Sequence, residues 1–175
     1  MNEMTDPALV PAVLIAIGLV ACVIDVWSRR IPNALTLSAA LAGLLFHMVS
    51  GGLDGALAAS GGWLVGTLLF LPFFVLGGMG GGDVKLLAAL GAWLGPRDTV
   101  WLAAYSAIAG GVLGVVVALA RGYLTTALQN ILGMLAYWRT AGFRPVPDLT
   151  LASPGTPRLA YAIPILAGTV ITLWL

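Results

Sequence analysis

The chain has 175 residues, 60% of them hydrophobic and only 9% charged, with a formal net charge of +1 and a mean hydropathy of +1.02. Soluble globular domains carry about a quarter charged residues, so this composition excludes a water-soluble domain and predicts an all-α, polytopic membrane protein. The single cysteine, Cys22, excludes an internal disulfide and a Cys-x-x-Cys zinc site, and its expected role is that of a small buried apolar residue.

In chain order, apolar segments of about 17–22 residues recur, enough to cross a hydrocarbon core of about 30 Å. Residues 8–24 are the first predicted span. Because residues 1–7 carry Glu3 and Asp6 but no basic group, this segment is expected to be retained rather than cleaved as a signal peptide. Asp25 follows the span, and Arg29, Arg30 and the Pro32-Asn33 pair mark a turn into a second span, 34–50. A short GGLDG turn at 51–55 leads to a third, 56–76. The glycine-rich stretch Gly77 to Lys85 is a further turn, followed by a short fourth segment, 83–94. GPRD at 95–98 turns the chain again into a fifth span, 99–120.

Between Tyr123 and Trp138, Leu124, Leu128, Ile131, Leu132 and Leu135 recur at helical spacing among Thr125, Thr126, Gln129 and Asn130, which predicts an amphipathic helix at the membrane interface or an extension of the fifth span. The proline-rich stretch up to Arg158 is a loop, and 159–175 is the sixth span, kinked or locally opened by Pro164. The result is one six-helix domain over 1–175, with 121–158 interfacial or cytoplasmic. Arg29, Arg30, Lys85, Arg121, Arg139, Arg144 and Arg158 then fall on one side and Arg97 alone on the other, which makes the first side cytoplasmic. Pairs of small residues, Gly62/Gly66, Gly91/Gly95 and Gly110/Gly114, offer close helix packing.

Two acids lack an ordinary home. Asp25 and Asp83 lie at the cytoplasmic ends of the first and fourth segments, at about the same depth, and a charge at bilayer depth is costly enough to ask for a partner and a task. Two carboxylates held close share a proton, one acting as acid and one as base, which is how an aspartic protease activates water against a peptide carbonyl. Singly, each aspartate could be a solvated interfacial residue and the glycine run a packing site. No GxxxxGK[ST] or GxGxxG phosphate cradle occurs, and the Asp-[Thr/Ser]-Gly signature of soluble aspartic proteases is absent. His47 stands alone near the outer end of the second span and is expected to pack there rather than to ligate a metal.

The segment GMGGGDVKLLAALGAWLG from Gly78 resembles the GxGD segment of the type IV prepilin peptidases, and Asp25-Val-Trp-Ser-Arg-Arg-Ile-Pro-Asn33 resembles their first-aspartate motif, D-x-x-x-R-x-I-P-N. The resemblance covers nearly the whole chain. It implies a GxGD aspartic endopeptidase of the inner membrane that removes the short basic leader from prepilin or pseudopilin precursors at the cytoplasmic face, with Asp25 and Asp83 catalytic. Gly80, Gly82, Lys85, Arg29, Arg30, Pro32 and Asn33, which belong to the two motifs, are the candidates for shaping the site or binding substrate. No metal, cofactor or nucleic acid is expected; the expected partners are the precursor substrates, membrane lipid, and pilus or secretion assembly components. Two departures stand out. Ala160 precedes Tyr161-Ala162 where the family's last helix commonly opens with Pro-Tyr/Phe-Gly/Ala. Only residues 26–33 stand where bifunctional members insert a methyltransferase module, so the chain resembles the short, peptidase-only forms of Flp/Tad-type pilus systems. A proton- or ion-coupled transporter built on the paired acids, and a structural secretion subunit, are the competing readings.

Overall fold

Five helices follow one another along the described residues: α1 Leu9–Ser28, α2 Asn33–Val75, α3 Gly81–Ala120, α4 Leu124–Ala141 and α5 Ala162–Trp174. They are seen in a computed structural model that describes residues 8–146 and 159–175. Glu3, Asp6, Asp148, Arg158 and most of the proline-rich loop lie outside the described residues. α1, α2 and α3 are each long and apolar enough to cross a membrane.

α1 buries Leu14, Gly18, Ala21 and Asp25, at steps of four, three and four residues, so one stripe faces the interior while Val20, Val23 and Val26 face outward. The helix runs further than expected. Asp25 lies within it, on its buried stripe, and not beyond its end. The helix closes at Arg29, whose φ of 53° is the left-handed conformation of a C-cap and whose N–H donates to the Asp25 carbonyl at 2.9 Å. Pro32, at φ −65° and ψ 141°, then ends the connection and starts α2.

α2 breaks at one residue, Gly52, with φ 61° and ψ −139°. The five-residue turn expected at 51–55 shrinks to this single break because glycine adopts a positive φ without a Cβ clash, and the helix resumes at Leu53. The two halves fold back on each other. Gly55 lies against the His47 backbone, and both Ala39–Gly43 in the first half and Gly62 in the second reach α3 near Gly91 and Trp93.

α3 repeats the device at Gly95, φ 78°, with Pro96 opening the second half and Thr99 Oγ1 donating to the Gly95 carbonyl at 2.6 Å. Its first half starts at Gly81, so the turn expected over Gly77 to Lys85 ends at Gly80, and Asp83 and Lys85 sit on the first helical turns. This half is the centre of the molecule. Val84 and Leu86 through Trp93 are all buried, packed among Leu14 of α1, Phe70 of α2, Leu102 of α3 and Ile165 of α5. Its small residues admit other backbones: a Cβ on Gly62 would strike the Gly91 carbonyl, and one on Gly66 would lie 2.9 Å from Ala88 Cα. Of the other expected small-residue contacts, Gly110 packs under the Tyr161 ring and Gly114 reaches only Leu159, while Gly95 serves the break.

α4 buries no residue, and Leu128, Ile131, Leu132 and Leu135 are exposed along it. α5 is 13 residues long, about 20 Å at 1.5 Å per residue, and so shorter than the span expected over 159–175. Pro164 does not kink it: the residue lies in the first turn, where a helix has no use for the missing N–H.

Candidate active site

The Asp25 end of α1, the α1–α2 turn, the start of α3 and the start of α5 meet at one end of the bundle. Asp83 is the third residue of α3, and its Oδ2 accepts the N–H of Gly80 at 3.2 Å. This is the acidic half of a capping box, with a glycine at the cap position and hence no side chain to return the bond. Asp25 is held differently. Its Oδ2 accepts the N–H of Ala162, the first residue of α5, at 3.3 Å. Each carboxylate thus rests on an N–H at a helix N-terminus, where the unpaired donors and the helix dipole favour negative charge.

Both aspartates are buried, at 7% and 9% exposure, and they lie within electrostatic reach of each other. The second oxygen of each, Oδ1, accepts no hydrogen bond among the described residues. Asp83 therefore presents one anchored and one available oxygen, and so does Asp25.

The residues expected to shape the site divide into those that tie the two motifs together and those at the rim. Gly82 packs against Ile31, and a Cβ there would lie 3.1 Å from Ile31 Cβ and 3.3 Å from its backbone nitrogen. A side chain at this position would press on the α1–α2 turn, so the glycine lets that turn pack closely beside Asp83. Lys85 Nζ donates to Asn33 Oδ1 at 2.9 Å, a second tie between the motifs. Gly80 supplies the N–H on Asp83, and Pro32 sets the start of α2. Arg29 and Arg30 are exposed on the turn, where Ser28 Oγ braces the backbone by donating to the Arg30 carbonyl at 2.9 Å.

Sequence reasoning did not find the role of Ala162, and the alanine itself gives no signal because the contact uses its backbone. The nearest pointer is Tyr161, in the segment that departs from the family pattern. Its ring packs edge-on to Phe70 at 6.0 Å, its hydroxyl donates to the Ser106 carbonyl at 3.4 Å, and it lies within electrostatic reach of Asp83. Cys22 is half-buried one turn before Asp25. His47 packs as expected: its Nε2–H donates to the Trp93 carbonyl at 2.9 Å and Phe46 lies edge-on to it. Trp93 is ten residues beyond Asp83 on α3, about 15 Å along the helix, so His47 is remote from the aspartates. Among the described residues no three His, Cys, Asp or Glu side chains gather into a metal-binding group.

The family model of the type IV leader peptidase family matches residues 12–115. Among curated proteins, the chain is 38% identical over 106 residues to the prepilin leader peptidase/N-methyltransferase of Aeromonas salmonicida (strain A449), covering 57% of this chain and 36% of that protein. It is 39% identical over 111 residues to the protein of that name from Pectobacterium carotovorum subsp. carotovorum, covering 59% and 39%, and 37% identical over 95 residues to that of Klebsiella pneumoniae, covering 51% and 42%. The chain thus spans roughly two fifths of the length of these relatives. No solved structure matches it. Because the family match runs through more than half of the chain and takes in both aspartates, the chain belongs to the type IV leader peptidase family.

Proposed function

We propose that this chain removes the leader peptide from type IV prepilin-like precursors, with Asp25 and Asp83 as its catalytic pair. The observation that carries the reading is the convergence of two buried carboxylates from different helices, each with one oxygen on a backbone N–H and the other available. A water held between the available oxygens loses a proton to the ionised carboxylate and attacks the peptide carbonyl. The protonated carboxyl hydrogen-bonds the developing oxyanion, and the carboxyl that took the water proton returns it to the leaving amine, so the C–N bond breaks and the pair ends sharing one proton as it began. The Gly82–Ile31 and Lys85–Asn33 contacts hold the two turns in register.

The breaks at Gly52 and Gly95, which split α2 and α3 into halves, support a reading in which these four halves with α1 and α5 serve as six crossings of one domain, proposed over 1–175. The halves 33–51 and 53–75 are about 28 and 34 Å long, enough for a bilayer, whereas 81–94 is about 21 Å and is wrapped by its neighbours. The clustering of Arg29, Arg30, Lys85 and Arg121 at the end with the aspartates supports a cytoplasmic active-site face in the inner membrane. Within these residues the connection from α1 to α2 spans only residues 29–32, too short for a folded transfer module, which supports cleavage without N-methylation. Pilus or secretion assembly components belong to the same reading.

Co-expression with candidate prepilins, followed by N-terminal sequencing of the product, tests it. The expected result is a mature N-terminus with an unmodified amine, and an uncut precursor across a broad panel would refute the reading. Orientation is tested separately by single cysteines at Ser28 and Asp54 in a background lacking Cys22. An impermeant thiol reagent should label Asp54→Cys from outside intact cells and leave Ser28→Cys unlabelled.

A further inference from the structure

On the side of α3 turned away from Asp83, an apolar groove of about 400 Å³ opens between the two halves of α2. Leu37, Ala40, Leu41 and Leu44 form one wall, Ser60, Trp63 and Leu64 stand on the other, and Ala92 of α3 lies at the base. The first wall is a single helical stripe at steps of three, one and three, and its upward continuation is Asn33, one turn and about 6 Å above Leu37. Ala92 likewise continues, two turns along α3, the face that carries Lys85. Lys85 and Asn33 are hydrogen-bonded to each other, so a cation stands one to two helical turns beyond the groove's lining, on the faces that Leu37 and Ala92 continue.

That cation has an unusual setting. Lys85 is exposed, its hydrogen bond goes to a neutral amide oxygen, and it forms no ion pair with a carboxylate among the described residues. A positive charge at a helix end, with an uncharged groove descending from it into the hydrocarbon, matches an amphiphile with an anionic head and an apolar tail. We propose that this is a binding site for one anionic phospholipid, with its phosphate on Lys85 and one acyl chain in the groove between the halves of α2. Occupancy would hold the first half of α2 against α3 at the point where Asn33 and Lys85 tie the two motifs together. The inference rests on α2 being embedded in the membrane and not on the cleavage chemistry.

The test uses the full chain purified in detergent and native mass spectrometry, with dioleoyl-phosphatidylglycerol and dioleoyl-phosphatidylcholine supplied separately and no peptide substrate present. The expected result is one retained phosphatidylglycerol per chain, in preference to phosphatidylcholine. Lys85→Gln should weaken its retention about fivefold, the worth of one basic group near a lipid surface. Ala40→Trp should fill the groove and abolish retention of both lipids; Ser60→Phe fills it from the opposite wall if the tryptophan variant does not fold. Equal retention of the two lipids by the wild type, a preference that survives Lys85→Gln, or undiminished retention with the groove filled would each overturn the proposal. In the last case, loss of precursor cleavage in the filled variants would assign the groove to a polypeptide segment instead.

Discussion

The first half of α3 and the whole of α4 are both apolar helices, yet one is the most enclosed part of the molecule and the other buries nothing. Hydrophobicity is only part of the difference, although α4 is not among the helices apolar enough to cross a membrane. In a membrane the lipid is as apolar as leucine, so an apolar side chain has no reason to turn inward, and what decides burial is how closely another backbone can approach. Residues 88–92 read Ala-Ala-Leu-Gly-Ala, and α2 packs on them through Gly62 and Gly66. α4 instead exposes Leu128, Ile131, Leu132 and Leu135, with Thr125, Gln129 and Asn130 around them, and suits a surface where lipid meets water.

The largest expected effect that would break this contrast lies at the α2–α3 crossing. A Cβ on Gly91 would stand 2.5 Å from the Gly62 carbonyl oxygen, so Gly91→Val should lower stability by about 1–3 kcal/mol or more, read as a fall in the thermal midpoint in detergent. An unchanged midpoint would mean that the two backbones are not in contact. Gly82 comes next, because the strain there falls on the site and not on the core. Gly82→Val should push Ile31 away and misplace Asp83, lowering the cleavage rate by about tenfold to a hundredfold while most of the folded protein survives. A rate loss no greater than the loss of folded protein would show that the Gly82–Ile31 contact does not position the acid. The smallest effect belongs to α4. Beyond its chain neighbours and its own helix backbone, a Cβ on Gly133 would meet nothing within 4 Å among the described residues, so Gly133→Ala should change stability by less than about 1 kcal/mol, toward the stabilising side from helix propensity.

The same contrast explains what could be read in advance. Asp25 and Asp83 stood out because a charge in an apolar run is rare, and α4 because its periodicity is interrupted by polar residues. The breaks near Gly52 and Gly95 were legible as glycine-containing turns, though not that single residues would make them, since the helix on each side resumes at once. The contact from Ala162 to Asp25 crosses 137 positions and uses a backbone N–H, so no side chain advertises it. Pro164, expected to kink or locally open the last span, lies instead in the first turn of α5, because the effect of a proline depends on where the helix begins.

The central claim is that two carboxylates from separate helices act as one unit. It is tested most directly by measuring precursor cleavage in membranes for Asp25→Asn, Asp83→Asn and the double variant, each normalised to the amount of folded protein. Each single change removes the shared proton while keeping side-chain size, and should cost several orders of magnitude in rate; the double variant should be no worse than either single one, because a unit is already lost with its first member. Wild-type turnover by either single variant would contradict the account.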